Sequence, residues 1–204
     1  MSEQSRDEGV IGWVRRVGKP LLVPALAVRI LRAPHGPGRS RVLAALGLSW
    51  GGDLALNRHG NGAFLAGLGS FLAAHLAYIS AFRRLSSAPV LATPGRRRAL
   101  LAGGTGSALM ALAAGRGDRA LAAPVAAYGV TLSALAASAA AVDRGPGRGH
   151  LLAGTALFLT SDVLIGVRKF FAGDRGTALE AAVLTTYAAA QWSIGEGLVR
   201  RWRG

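Results

Sequence analysis

Apolar residues in this chain do not alternate with polar ones. They gather into long runs, several about twenty residues long with at most an occasional charge. A helix of about twenty apolar residues crosses a bilayer, and lipid admits only helices or closed barrels as spanning structures. The runs are too long and too rich in Leu and Ala for barrel strands. The pattern predicts an all-α, polytopic transmembrane helical bundle of about seven spans: Val17–Leu31, Val42–Leu56, Gly62–Phe82, Ala99–Ala114, Leu121–Val142, Leu151–Phe171 and Ala178–Val199. The connectors are short and carry helix breakers, as in "RAPHGPGR", "NRHGNG", "ATPGRRR" and "DRGPGRG". Residues 1–16 read as a polar N-terminal tail without the apolar stretch of a signal peptide, and residues 17–204 as one membrane domain.

Composition agrees with that reading. Of 204 residues, 51% are hydrophobic and only 17% charged, against about 25% charged in soluble domains. The net charge of +14 comes almost wholly from Arg. These Arg residues flank the apolar runs and do not form one basic face, so nucleic acid is not an expected partner. With seven spans, Arg6, Arg15, Arg16, Lys19, Arg58, Arg116, Arg119, Arg168, Lys169 and Arg175 fall on one side of the membrane. The rest of the 24 Lys and Arg residues share the other side with the C-terminus. That larger share predicts a cytoplasmic C-terminus. Cysteine is absent, which excludes disulfide and thiolate chemistry. The excess of Ala and Gly fits both a compositional bias and close helix packing in lipid.

The informative residues are the polar ones inside the spans. Asp162, in "LFLTSDVLIG", sits near mid-span, and Asp53, in "SWGGDLAL", sits toward one end of its span. An Asp at mid-membrane costs about 2.5–3.5 kcal/mol on insertion scales, so its default reading is a functional group. An interhelical hydrogen bond is the structural alternative. His75 and Tyr78 lie three apart on one helical face, and Tyr187 and Gln191 four apart on another; Tyr128 and Thr131 share a third. Lys19 begins the first span, where a long side chain reaches the interface. Glu196 is near a span end, with Arg200 four residues on. No metal-ligand spacing such as HExxH occurs, so neither a metal nor another cofactor is expected. Ser161 adjoins Asp162, but adjacent helical residues point in different directions.

Six motifs in order, "KPLLVP", "GGDLAL", "FLAAHLAYISAF", "YGVTLSAL", "GTALFLTSDVLIG" and "TYAAAQWSIGEGL", resemble the YhhN family of membrane proteins, which includes the lysoplasmalogenases. The resemblance runs from Lys19 to about Leu198. It implies a multi-helix membrane hydrolase that cleaves the vinyl ether bond of a lysoplasmalogen to a fatty aldehyde and a glycerophospho-base. The polar set it carries over is Lys19, Asp53, His75, Tyr78, Asp162, Tyr187 and Gln191. Family members typically have a further span before the "KPL" helix. Its absence puts the N-terminus outside, in agreement with the Arg distribution. Glu196 stands where an uncharged residue is expected.

Vinyl ether hydrolysis starts with protonation of the β-carbon, which leaves an oxocarbenium ion. Water adds, and the hemiacetal collapses. Two carboxyls in unlike environments can supply the acid, the counter-charge and the base, as they do for the similar cation in glycoside hydrolysis. The expected catalytic residues are Asp53 and Asp162, with either as acid, and His75 orienting water or tuning one of them. Lys19, Tyr78, Tyr128, Tyr187 and Gln191 are expected to bind or position the substrate. The expected partners are a lysophospholipid substrate and membrane lipids, in a bacterial plasma membrane, with oligomeric state open. A proton-coupled transporter or lipid carrier is the alternative use of the same Asp and His residues. An intramembrane aspartyl protease is disfavoured by Trp50, which takes the place of a motif glycine.

Overall fold

The computed structural model describes the backbone of residues 19–171 and 176–204, and the side chains of residues 21–171 and 178–204. The expected polar tail lies outside the described residues. Seven helices and no strand are found among those described: α1 Lys19–Arg32, α2 Arg39–Leu56, α3 Asn61–Arg83, α4 Pro94–Gly117, α5 Arg119–Ala141, α6 Arg148–Phe170 and α7 Gly176–Arg203. Each falls on one predicted run. The ends differ where polar residues extend a helix past its apolar stretch, as Arg39–Arg41 do for α2 and Arg200–Arg203 for α7.

Local chemistry sets the boundaries. Thr93 caps α4 by accepting from the Arg96 N–H, with Pro94 at the first helical position. Asp118 caps α5 by accepting from the Ala120 N–H at 3.0 Å. Gly38 and Gly147 precede α2 and α6 in the left-handed conformation, with φ of 81° and 77°.

The helices pack as three hairpins, α2–α3, α4–α5 and α6–α7. Around the bundle the order is α1, α2, α3, α5, α6, α7 and back to α1. α4 lies outside along α5 and touches α6 only sparsely. Small residues let backbones approach. A Cβ on Gly154 of α6 would lie 2.8 Å from the Ile194 nitrogen and 2.9 Å from the Ala190 oxygen of α7. On the α4–α5 seam, Gly103 faces Ser133 and Gly129 faces Ser107. Both serines turn their hydroxyls back to their own helices, Ser107 to the Gly103 carbonyl and Ser133 to the Gly129 carbonyl.

Polarity is inverted relative to a soluble fold. Asp53, His75, Asp162, Gln191, Ser49, Thr155 and Ser161 are buried, while large apolar side chains such as Leu21, Trp50, Leu76, Leu109, Val130, Val163 and Trp192 point outward from all seven helices. Three helices, α3, α5 and α6, are long and apolar enough to cross a membrane. The other four fall short for visible reasons. α1 has 14 described residues, α2 carries Arg39, Arg41 and Asp53 within its 18 residues, α4 opens with three arginines, and Glu180, Gln191, Glu196 and a basic last turn lower the hydropathy of α7.

Polar ties lie at the basic end. Glu196 accepts hydrogen bonds from Arg200 and from Arg29 of α1, so it joins two helices. Asp143, between α5 and α6, accepts from the Ser87 N–H at 3.0 Å and from its hydroxyl at 2.9 Å. Those bonds, the backbone one first, hold its carboxyl below the usual range.

A folded-state pKa lowered in this way stabilises above the unfolded value and is lost as pH falls through the folded one. The difference in Tm between wild type and Asp143→Asn, measured in detergent, should be present at neutral pH and close as pH drops below about 4. Gly147→Ala forces a Cβ onto a positive φ and against the Gly197 carbonyl oxygen of α7. It should destabilise by about 2 kcal/mol or more in a detergent melt, whereas Gly149→Ala, with open space beside it, should not.

Candidate active site

Asp162 of α6 is reached from two other helices. The Tyr128 hydroxyl of α5 donates to its Oδ2 at 2.9 Å. His75 Nε2 of α3 stands 3.5 Å from the same oxygen. The His75 ring is fully buried, neither nitrogen makes a hydrogen bond, and it packs edge-on against Phe158 and Tyr128 with centroids at 4.8 and 5.3 Å. Asp162 is roughly eight residues from the end of α6, about 12 Å into the bundle at 1.5 Å per residue.

A second polar set sits beside it. Tyr187 of α7 donates to Asp53 Oδ2 at 2.7 Å. Gln191 Nε2 donates to the Tyr187 hydroxyl at 3.4 Å, and Tyr78 donates to Gln191 Oε1 at 2.7 Å. Tyr78 and His75 therefore share a helix face and serve different partners. Aromatic rings join the two sets. Phe158 lies 5.7 Å from Tyr187 and Phe71 lies 6.0 Å from it, and both rings pack edge-on.

The sets differ in what they face. An elongated cavity of about 350 Å³ runs between α3, α4, α5 and α6. Its wall is apolar except for Asp162, Tyr128 and the two serines already turned to their own helices. Asp53 and Tyr187 are not in that wall. Phe71 is, and it contacts both Gly52 and Tyr187, which sets the Asp53 pair on the far side of its ring. The arrangement lets Asp162, backed by His75, exchange a proton with an apolar molecule in the cavity. Asp53, outside the wall, could reach such a molecule only through its field.

The remaining expectations sort by geometry. Lys19 opens α1, but its side chain lies outside the described residues. Thr131 turns to the Ala127 carbonyl of its own helix and away from the site. Ser161 donates to the Val183 carbonyl of α7 at 3.2 Å, a tie between helices. Among the described residues, no three His, Cys, Asp or Glu side chains gather in a way that could hold a metal ion. Sequence reasoning missed the α4 wall, Gly103, Gly106, Ser107 and Met110. Its signal was available in the paired Gly-x-x-x-Ser spacings of "GGTGS" and "YGVTLS".

A model of the YhhN family matches residues 14–198, nearly the whole chain, and the chain belongs to that family. No curated protein and no solved structure matches it. With three helices apolar enough to cross a bilayer, this member is an integral membrane protein.

Tyr128→Phe and Tyr187→Phe each remove one buried hydroxyl from a carboxyl, and each should cost about 1 kcal/mol. Because the two hydroxyls bond different carboxyls, the double variant should lose close to the sum in a detergent melt.

Proposed function

We propose that this YhhN-family chain hydrolyses the vinyl ether bond of lysoplasmalogen-type lipids, releasing a fatty aldehyde and a glycerophospho-base. The observation that carries the reading is a buried carboxyl, Asp162, in the wall of an otherwise apolar cavity within a membrane bundle. Family membership supports it. On this reading all seven helices span the bilayer, as their outward apolar side chains favour, and the C-terminus is cytoplasmic in a bacterial plasma membrane.

The chemistry follows from the geometry. The reacting bond lies beside an alkyl chain, so it enters an apolar cavity at no cost, and the acid must be there to meet it. Asp162 in its protonated form delivers its proton to the β-carbon of the vinyl ether. The double-bond electrons form the new C–H bond, and the ether oxygen shares the resulting positive charge. The Asp162 carboxylate and the Asp53–Tyr187 pair behind Phe71 stabilise that cation through a low-dielectric interior. Tyr128 holds Asp162 in place from one side. Water adds to the cation and yields its proton to His75 or Asp162, which are 3.5 Å apart. The hemiacetal hydroxyl then yields its proton to the same pair as that pair protonates the glycerol oxygen, the C–O bond to the glycerol breaks to give aldehyde and alcohol, and the proton taken from water rests on Asp162 as at the start.

Purified protein in detergent, given a lysoplasmalogen, should release fatty aldehyde. Asp162→Asn should lower kcat by about 100-fold or more while the protein stays folded. Asp53→Asn should also lower kcat, through the loss of its charge, with little effect on stability because the amide oxygen still accepts from Tyr187. Wild-type rates from Asp162→Asn would remove Asp162 as the acid. Solute uptake into liposomes without aldehyde would move the assignment to a carrier.

A further inference from the structure

The cavity does not end at Asp162. On one side it continues to the face of the bundle where α3 begins and α6 ends, and Phe64 and Phe170 stand there edge to face at 6.1 Å. Lys169 Nζ lies 5.2 Å over the Phe64 ring and 3.4 Å from Asn61 Oδ1. Asn61 in turn donates to Asp118 at 2.9 Å, so the ends of α3, α5 and α6 are tied at this mouth. Lys169 is exposed, and among the described residues it has no carboxylate ion pair. On the other side the cavity runs past Tyr128 to Gly103 and Gly106 of α4. A Cβ on Gly106 would meet nothing within 4 Å.

We propose that this cavity is the seat of a single-chain phospholipid that enters from the leaflet at the Phe64–Phe170 face, with its phosphate on Lys169 and its alkyl chain reaching toward Gly106. The proposal rests on the hydrolase reading for the identity of the reacting bond, and on geometry for the rest.

Two lengths agree. Lys169 and Asp162 are seven positions apart on one face of α6, about 10 Å along its axis. In the lipid, seven bonds separate the phosphorus from the vinyl carbon that is protonated. That path is about 8 Å when extended, since an extended backbone covers about 3.5 Å in three bonds. A phosphate at Lys169 therefore delivers the reacting carbon to Asp162. Volume selects one chain. At about 350 Å³ the cavity is at the small end of ligand pockets, which suits one chain. The leaflet follows from the fold: this mouth is on the face opposite the C-terminus and the larger share of the arginines.

The test uses a saturated 1-alkyl-glycerophosphoethanolamine, which has no vinyl bond to cleave, beside the matching phosphate-free 1-alkylglycerol. Binding to the full chain in detergent is read by titration calorimetry, and turnover of the vinyl analogues is followed in parallel. Lys169→Gln should weaken binding of the phospholipid about five-fold, the effect of one cation near a lipid phosphate, and raise KM more than it lowers kcat. It should affect the alkylglycerol much less. Gly106→Leu, which also raises helix propensity, should weaken the phospholipid and the alkylglycerol alike by about ten-fold, as filling a hydrophobic pocket does. Arg83→Gln, on the opposite face, should change neither. Equal losses for both headgroups with Lys169→Gln, or unchanged binding of both ligands with Gly106→Leu, overturn the proposal. Binding with the expected pattern but no aldehyde overturns the hydrolase and keeps the site. Aldehyde release with KM unmoved by Lys169→Gln keeps the hydrolase and overturns the site.

Discussion

A carboxyl inside a membrane bundle must find its partners within the protein, and that constraint orders the structure around Asp162. Lipid offers neither water nor counterions, so hydrogen bonds to such a group are fixed by helix packing. Tyr128 arrives from α5 and His75 from α3, while α6 carries the carboxyl. The three helices must therefore hold one register relative to one another. Close backbone contacts through Gly154 fix α6 against α7. The site and the packing are one problem solved by the same residues.

Asp53 meets the same constraint differently. It lies only about three residues from the end of α2, yet it is as buried as Asp162 because α7 covers it with Tyr187. Tyr187 is itself held by Gln191, and Gln191 by Tyr78. This chain of hydrogen bonds runs α2–α7–α3 and does not touch the cavity wall. One carboxyl is thus presented to the cavity and the other is embedded behind an aromatic layer. Two acids in unlike surroundings can do unlike work, one passing a proton and the other supplying fixed charge.

The run lengths of apolar residues were enough to place all seven helices, because a membrane helix is announced by composition over twenty positions. The inward polar residues were equally legible, since each stood out against an apolar background: Asp53, His75, Tyr78, Tyr128, Asp162, Tyr187 and Gln191 all proved buried. Their pairing was not. Helical spacing tells which residues share a face, and it correctly joined Tyr187 to Gln191. It says nothing of which helix lies opposite, so the division into an Asp162 set and an Asp53 set came only from the packing order. The α4 wall was hidden for a related reason. Its contribution is the space left by glycines, and a missing side chain carries no polar mark in a sequence.

The ambiguity of the glycine content resolves position by position. Gly47, Gly62, Gly69, Gly104 and Gly149 have open space where a Cβ would sit, so no packing contact within the chain asks for them. Gly103, Gly129, Gly154 and Gly197 each stand against a neighbouring helix or connector that leaves no room for a Cβ. Gly106 belongs to neither group. It has space around it, but that space is the cavity. In a bundle whose helices otherwise approach through small residues, a glycine facing a void keeps the void open. The volume beside Asp162 is thus set by what α4 lacks, and the chemistry by what α3, α5 and α6 bring to its wall.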